Sequence, residues 1–329
     1  MQYQPLLSTK HSASDARITS FHHKKPQGLW HTHAMTNQQP QEAITSASLK
    51  LANSHYENFP VASVFLPKHL REPISLIYSF ARQADDFADE GDLTIEQRLT
   101  LLNQFIDELD LLRAYIKPQT AFFATLGSMI RARKLPYEPF YDLLNAFSQD
   151  VTKTRYADYD ELLDYCTRSA NPIGRLLLQL YEQSNITNIE LSDRICTALQ
   201  IINFLQDIAI DFKKNDGKQR IYLCLDEMAA FGITEVQIQD MVDNEREVDE
   251  NWQQFILFNL HRVNALLYAG KPLGKILKGR IGFEMRMIIA GGERIIDKIS
   301  QVNGDIFNHR PSLNKWDWLI IFFKALFKV

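Results

Sequence analysis

Two pairs of aspartates with the same spacing stand in separate parts of the sequence. Asp85 and Asp89 are four residues apart in SFARQADDFADE, and Asp207 and Asp211 repeat that spacing in LQIINFLQDIAIDF. On a helix, side chains at this spacing are neighbours, and two like charges there destabilise the helix by roughly 0.2–0.5 kcal/mol. A solvated face or a salt bridge explains one such pair equally well, but two matched pairs favour a site that binds a cation.

Each pair shares its helix face with other polar side chains. At about 100° per residue, Tyr78 and Arg82 lie on the stripe of the first pair, and Gln200 and Asn203 lie on that of the second. The second helix is apolar on most other sides, through Leu199, Ile201, Ile202, Phe204, Leu205, Ile208 and Ile210. A helix of that kind is buried. We expect its acids to face an interior cavity, because an isolated carboxylate is costly to bury.

This oxygen-rich set of ligands predicts magnesium. Mg²⁺ prefers carboxylate and carbonyl oxygens and is usually bound together with substrate phosphates. No His or Cys stands with these acids at the spacing of a zinc site. The sequence therefore predicts a diphosphate held between two helices by Mg²⁺. The predicted metal ligands are Asp85, Asp89, Asn203, Asp207 and Asp211.

A diphosphate bound in an apolar helical cavity indicates the type of reaction that the site could catalyse. Metal neutralises the charge of a leaving diphosphate, which helps a carbon–oxygen bond to ionise. The carbocation left behind is stabilised by the faces of aromatic rings. These conditions indicate isoprenoid chemistry. Candidate wall residues are Phe59, Tyr78, Tyr165 and Phe204, although core packing is the simpler explanation of each ring taken alone.

Helices must position these residues, because helical periodicity accounts for most of the chain. Apolar residues recur at three- and four-residue spacing over 73–90, 95–116, 119–133, 137–149, 158–183, 190–213, 234–269 and 281–302. Alternating strand patterns, glycine-rich nucleotide loops and internal repeats are absent. We predict an all-α protein with one large helical domain.

The domain is expected to occupy residues 46–302, between a disordered N-terminal extension over 1–45 and a C-terminal tail over 303–329. Within the extension, Met35 is a second candidate start, which would make the first 34 residues an upstream segment.

Composition excludes several classes of protein. The chain has 329 residues, of which 45% are hydrophobic and 23% charged, as in soluble globular proteins. A net charge of −4 provides no basic surface for nucleic acid. Three widely spaced cysteines suit a reducing compartment. The sequence lacks both a long apolar span and the apolar core of a secretory signal, which predicts a cytoplasmic protein.

Three segments together resemble the squalene/phytoene synthase family. They are ENFPVASVFLPKHLREPISLIYSFARQADDFADE, YCTRSANPIGRLLL and LQIINFLQDIAIDF, and the resemblance covers roughly residues 50–300. It implies the isoprenoid-synthase fold, in which two DxxxD motifs face each other across a central cavity. It also implies a prenyl diphosphate substrate bound with roughly two or three Mg²⁺ ions, and no NADPH.

The resemblance assigns roles to residues by their position. It implies catalytic roles for Asp85, Asp89, Asp207, Asp211 and Tyr165. The implied substrate-binding residues are Phe59, Tyr78, Arg82, Gln200, Asn203, Arg220 and Tyr222. After the second motif this sequence departs from the family, with the longer loop KKNDGKQR and with Cys224 in place of a proline. The departure loosens the alignment of Arg220, and Cys224 is expected to be a small packed residue.

Within the family, SANPIG, ENFPVAS and FNHRPSLNKWDWL are most similar to the hydroxysqualene synthases of bacterial hopanoid pathways. This similarity implies that presqualene diphosphate loses diphosphate, its cation rearranges and water is captured to give hydroxysqualene. The upstream and downstream enzymes of such a pathway are candidate partners. Open candidates for positioning the water are Tyr165, Tyr222 and residues 169–171.

Two other functions stay open. One is a synthase that joins two prenyl diphosphates head to head to give presqualene diphosphate, squalene or phytoene. The other is a non-catalytic helical assembly factor, which would be free to lose the acids that this chain keeps.

The chain ends in KWDWLIIFFKALFKV, a short apolar run flanked by tryptophans and lysines. It is too short to span a bilayer, but an apolar helix with Trp and Lys at its edges can lie in a membrane interface. The sequence leaves two interpretations open: a helix on the inner face of the membrane, or a terminal helix docked on the domain.

Overall fold

The computed structural model describes residues 67–213, 219–244 and 246–327. Over these ranges the chain forms helices and no strands, apart from an isolated bridge between Tyr156 and Cys224. All of these residues belong to one compact unit, Gln39–Val329. The predicted all-α class is therefore confirmed.

In chain order the described helices are α1 (Lys68–Asp89), α2 (Ile95–Arg113), α3 (Ala121–Arg133), α4 (Glu138–Thr152), α5 (Tyr159–Ser169), α6 (Asn171–Leu180), α7 (Ile186–Lys213), α8 (Leu225–Ala230), α9 (Glu235–Asn244), α10 (Glu250–Gly270), α11 (Leu273–Ile276), α12 (Gly279–Gln301) and α13 (Lys315–Phe327).

Two predicted helical runs are each divided in two. The run 158–183 breaks at Ala170, because Pro172 fits only the first turn of a new helix and cannot continue the old one. The run 234–269 breaks before α10, whose first turn is capped by Asp249 accepting a hydrogen bond from the Trp252 amide at 2.8 Å. The short helix α8 is not signalled by periodicity.

Helix α7 is the central element of the larger core cluster. It packs against α5, α6, α10 and α12, and residues such as Ile201, Ile202 and Leu205 are almost fully buried. Among the described helices it alone is long and apolar enough to cross a membrane. However, 61% of its most apolar 18-residue stretch is buried inside the protein, as in a core helix. The second acid pair is therefore carried by a buried helix, as its apolar surroundings predict.

The C-terminal end of α1, which carries the first acid pair, is held by one arginine. Arg98 is 4% exposed and donates to the carbonyl oxygens of Phe87 (3.1 Å), Glu90 (3.0 Å), Gly91 (2.7 Å) and Leu93 (3.2 Å). Carbonyls at a helix end lack partners within the helix. Arg98 supplies those partners and so fixes the place where α1 ends.

The C-terminal helix α13 docks on α12 through a buried aspartate. Asp317 is 1% exposed and forms ion pairs with Arg294 (2.7 Å) and Lys298 (2.6 Å). Burial would raise the pKa of this carboxyl, but the cations and a backbone amide lower it to about 2. At the other end of α13, Arg286 Nε donates to the Ala325 carbonyl oxygen at 2.7 Å.

Candidate active site

The first acid pair lies in a network centred on Arg82. Its guanidinium forms ion pairs with Asp85 (3.1 Å), Asp86 (2.8 Å) and Glu90 (2.6 Å). Burial would lower the pKa of Arg82, but these three carboxylates raise it. Tyr78, half-buried one turn earlier, contributes to the same effect. The crowding of acids on α1 is thus offset by a cation on the same helix.

Asp89 has a different partner, Arg220, which follows α7 in the chain. Arg220 Nη1 lies 2.5 Å from Asp89 Oδ1, and the two side chains are only 2% and 14% exposed. Burial opposes the charged form of Arg220, yet nearby Tyr222, Asp89 and Asp150 raise its pKa. The structure therefore brings Arg220 to the first acid pair in spite of the longer loop before it.

Backbone hydrogen bonds fix the segment that carries Arg220 and Tyr222. The amide of Ile221 donates to the Thr154 carbonyl at 3.1 Å, and that of Leu225 donates to the Tyr156 carbonyl at 2.9 Å. This short extended contact anchors the segment to the link between α4 and α5. Cys224 is 1% exposed within it, as expected of a packed residue.

The second acid pair has a cationic partner from the segment before α13. Asp207 Oδ1 accepts from Arg310 Nε at 2.7 Å, and Asp207 Oδ2 accepts from Asn203 Nδ2 at 3.2 Å. Next to this contact, Gln206 Nε2 donates to the Pro311 carbonyl at 2.5 Å. Arg310 is absent from the predicted site residues, although it lies in the FNHRP stretch that carries part of the resemblance.

Behind Arg220 lies a buried carboxylate that the sequence does not single out. Asp150 on α4 is 5% exposed and accepts hydrogen bonds from Tyr165 Oη (2.5 Å) and Tyr222 Oη (3.1 Å). Burial raises the pKa of Asp150 to about 7, against the lowering effects of the Tyr165 hydrogen bond and of Arg220. Burial and the Asp150 charge also raise the pKa of both tyrosines well above the ordinary value.

Aromatic rings surround this carboxylate. Phe204 and Tyr222 stack with centroids 4.1 Å apart and ring planes 4° from parallel. Tyr165 lies 6.0 Å from Phe204 and 5.8 Å from Tyr222. Tyr156 completes the cluster at 5.5 Å from Tyr165. Two of the predicted wall residues, Tyr165 and Phe204, are thus brought together, whereas Tyr78 lies beside Arg82 and Phe59 lies outside the described residues.

The remaining predicted residues occupy these same elements. Gln200 is half-buried on α7, one turn before Asn203. Asp211 is half-buried near the end of α7, and its charge is among the causes that raise the pKa of Tyr222, after burial and Asp150. In the 169–171 stretch, Asn171 accepts from Thr197 Oγ1 at 3.0 Å inside the core.

One acid of each pair therefore lies close to the segment 219–224. Helices α1 and α7 both pack against α6, Asp89 pairs with Arg220, and Asp211 acts on the neighbouring Tyr222. Within the part of the chain that the structure describes, no three acid, His or Cys side chains form a ready-made metal site. Mg²⁺ commonly takes one or two carboxylates and completes its shell with phosphate oxygens and water. Two carboxylate pairs fit an ion that is bound together with a diphosphate.

Comparison with known proteins establishes the family. The model of the squalene/phytoene synthase family matches residues 52–317, and this chain belongs to that family. It is 34% identical to a hydroxysqualene synthase of Rhodopseudomonas palustris over 86% of this chain and 93% of that protein. A presqualene diphosphate synthase of the same organism is 32% identical over 61% of this chain and 68% of that protein.

A solved structure shows the same fold. The squalene synthase HpnC from Alicyclobacillus acidocaldarius superposes with a TM-score of 0.69 at 32% identity, covering 80% of this chain and 96% of that one. The isoprenoid-synthase fold expected from the sequence is therefore confirmed.

Proposed function

We propose that this chain is a Mg²⁺-dependent hydroxysqualene synthase, a carbon–oxygen lyase that converts presqualene diphosphate and water to hydroxysqualene and diphosphate. The observation that carries the proposal is the nearly full-length similarity to a protein of that name, in a chain that keeps both acid pairs. In a pathway of this kind, the enzymes that make presqualene diphosphate and consume hydroxysqualene are candidate partners.

The polar side chains of the site hold and neutralise the diphosphate. Mg²⁺, when bound, offsets negative charge on the leaving group and so favours its departure. The residues that would hold it are Asp85, Asp89, Asn203, Asp207 and Asp211. Arginines already stand against three of these carboxylates, and a guanidinium there can also donate charge-assisted hydrogen bonds to phosphate oxygens. They are Arg82, Arg220 and Arg310.

The aromatic side chains serve the other end of the substrate. Tyr165, Phe204 and Tyr222 lie together beside Arg220. They are therefore close to Asp89, which forms an ion pair with Arg220. Ring faces stabilise a nearby cation by their quadrupole, and exclusion of water strengthens that effect. A carbocation formed by loss of diphosphate would therefore meet an aromatic wall next to the place where the leaving group is held.

Product analysis tests the proposal. Purified full-length protein incubated with presqualene diphosphate and Mg²⁺ is expected to yield hydroxysqualene and an equimolar amount of diphosphate, detected by mass spectrometry and a phosphate assay. Omitting NADPH should change nothing, whereas removal of Mg²⁺ by a chelator should stop diphosphate release. Formation of squalene that depends on NADPH would contradict the proposal.

The competing enzyme function is head-to-head condensation of two prenyl diphosphates. The similarity to a presqualene diphosphate synthase and to a structure called a squalene synthase favours it. Farnesyl diphosphate supplied alone separates the two, because a hydroxysqualene synthase leaves it unreacted. An assembly factor would turn over neither substrate.

We further propose that α13 rests on a membrane surface. One face of α13 docks on the domain, and the opposite face leaves large apolar side chains in solvent. Their exposed fractions are 75% for Trp316, 48% for Leu319, 42% for Ile320, 53% for Phe323, 49% for Leu326 and 70% for Phe327. Contiguous exposed apolar surface of this kind marks an interaction site.

The charges around this face favour anionic lipid over another protein surface. Lys315 and Lys324 lie on α13 itself. Arg286 donates both to the Ala325 carbonyl and to the Gly274 carbonyl, each at 2.7 Å, which brings the exposed α11 turn to the end of α13. That turn adds the exposed side chains of Lys275, Ile276 and Lys278. Apolar side chains rimmed by lysines suit the interface of an anionic bilayer.

Replacing the aromatic part of this face is expected to weaken membrane binding. The triple variant Trp316→Ser, Phe323→Ser, Phe327→Ser should bind vesicles of phosphatidylcholine and phosphatidylglycerol at least about tenfold more weakly, because it lacks the three exposed rings that would become buried in the bilayer interface. Flotation of the full-length protein with the vesicles measures this. Tyr115→Ser, which removes a side chain that is 84% exposed elsewhere, is the control. Equal flotation of both variants and the unmodified protein would refute the membrane role.

A further inference from the structure

Asp150 is a charged residue in the site that neither metal nor diphosphate binding explains. Its two carboxylate oxygens are each bonded to a different tyrosine, Oδ2 to Tyr165 and Oδ1 to Tyr222. The three residues come from α4, α5 and the segment after α7. A buried carboxylate is costly unless its hydrogen-bond partners are supplied. This chain places that costly group directly behind the aromatic wall.

The two hydrogen bonds fix the direction in which each tyrosine hydroxyl is polarised. A phenol has one proton to donate, and its oxygen keeps lone pairs that accept. Because the protons of Tyr165 and Tyr222 are donated to Asp150, both oxygens can only accept from any further polar group. A water molecule at such an oxygen must donate one of its own protons. Its lone pairs are then left free for a second partner.

Tyr222 is the better placed of the two hydroxyls to meet such a water. Tyr165 is only 3% exposed, whereas Tyr222 is half-buried. Tyr222 also stacks on Phe204 at 4.1 Å and lies two residues after Arg220, the partner of Asp89. Tyr222 therefore links the aromatic wall, through its stack on Phe204, to the chain segment that carries Arg220.

We propose that Asp150 is the positioning residue for water capture, acting through the hydroxyl of Tyr222. This inference rests on the proposed function, since it concerns the water that reacts with the rearranged cation. The water donates one hydrogen bond to Tyr222 Oη and directs a lone pair at the cationic carbon. Tyr165 holds the other oxygen of the carboxylate in place.

The step balances in atoms and charge. A lone pair of the water oxygen forms the carbon–oxygen bond, which moves the positive charge from carbon to oxygen. One water O–H bond then breaks as its proton passes to Tyr222 Oη, while the phenolic proton passes to Asp150 Oδ1. The product is the neutral alcohol, and Asp150 is left protonated until it returns the proton through Tyr222 to solvent. A carboxyl whose pKa is raised by burial to about 7 is suited to hold a proton briefly at neutral pH.

Changing the polarity of the Tyr222 hydroxyl tests the inference. Asp150→Asn keeps the shape of the side chain, but its amide group donates where the carboxylate accepted, so one tyrosine must turn its proton outward. Tyr222→Phe removes the hydroxyl altogether and leaves the ring stack in place. The measurement is the fraction of released diphosphate that is matched by hydroxysqualene labelled from H₂¹⁸O, with presqualene diphosphate and Mg²⁺.

In Tyr222→Phe we expect diphosphate release to continue while the labelled fraction falls at least about a hundredfold, the lower end of what one general base contributes. Asp150→Asn should also lower the labelled fraction, because loss of a proton from the cation then gives hydrocarbons in place of the alcohol. Tyr156→Phe is the matched control, because its hydroxyl accepts from Gln149 at 3.3 Å in the same ring cluster and does not bond to Asp150. Its labelled fraction should equal that of the unmodified protein.

The outcomes are distinguishable. An unchanged labelled fraction in Tyr222→Phe overturns the inference and leaves the proposed function intact. If Asp150 had only a structural role, Asp150→Asn and Tyr222→Phe would lower diphosphate release and alcohol formation together, and the ratio of the two would stay constant. That result also overturns the inference. If Asp150→Asn does not fold, Tyr222→Phe decides. Failure of the unmodified protein to release diphosphate from presqualene diphosphate overturns the function and this inference with it.

Discussion

Asp207→Asn is expected to lower the rate of diphosphate release from presqualene diphosphate by roughly a thousandfold, the scale of several kcal/mol that a metal contributes to charge stabilisation. Asp207 is 13% exposed and offers one oxygen to Asn203 and the other to Arg310. The amide has the same shape but no charge, so it binds Mg²⁺ poorly and leaves Arg310 without its carboxylate. Stability should change little, since Arg310 is 39% exposed and remains hydrated.

A second acid on the same helix provides the control. Asp193 lies on α7 and receives two hydrogen bonds from Arg175, at 3.1 and 2.7 Å, but it is outside the acid pairs. Asp193→Asn removes an arginine-paired carboxylate from α7 without touching the proposed metal ligands, and its turnover should stay near that of the unmodified protein. Diphosphate release at the normal rate in Asp207→Asn would remove the second acid pair from the mechanism.

The local parts of this site could be predicted from the sequence because helix geometry is local. The spacing of Asp85 and Asp89 places them on one stripe whatever the rest of the chain does. The same is true of Asn203 with Asp207, which the structure shows in contact at 3.2 Å. Apolar residues around the second pair likewise predict that its helix is buried, and α7 is the centre of the core.

The partners that cross between helices could not be predicted in this way. Arg310 and Asp207 are 103 residues apart, and Tyr222 and Asp150 are 72 apart, so only the tertiary fold brings each pair together. Asp150 stands in the helix AFSQDVT like any surface acid, and nothing local signals that it is 5% exposed. The break between helices at Ala170 is a different case, because Pro172 is a local signal of a helix boundary. The apolar periodicity continues on both sides of this proline and so conceals the break.

Arg220→Met is expected to have the largest effect on stability, lowering the free energy of unfolding by about 3–5 kcal/mol, as when one member of a buried ion pair is removed. Arg220 is 2% exposed and stands against Asp89, and it also offsets the charge of Asp150. Methionine fills much of the same volume but leaves both carboxylates without this cation. Denaturant unfolding measures the loss. Arg175→Met, at an ion pair whose side chains are 34% and 23% exposed, should cost at most about 1 kcal/mol.

The double variant Arg220→Met, Asp89→Asn separates the structural role of this ion pair from its catalytic role. Removing the Asp89 charge relieves the penalty for burying it alone, so the double variant should be more stable than Arg220→Met, with a coupling energy of about 1–3 kcal/mol. Diphosphate release should not recover, because the double variant lacks both a proposed metal ligand and a cation for the phosphate oxygens. If stability and turnover recovered together, Arg220 and Asp89 would be a structural pair, and binding of the diphosphate would have to be assigned to the arginines of the other carboxylates.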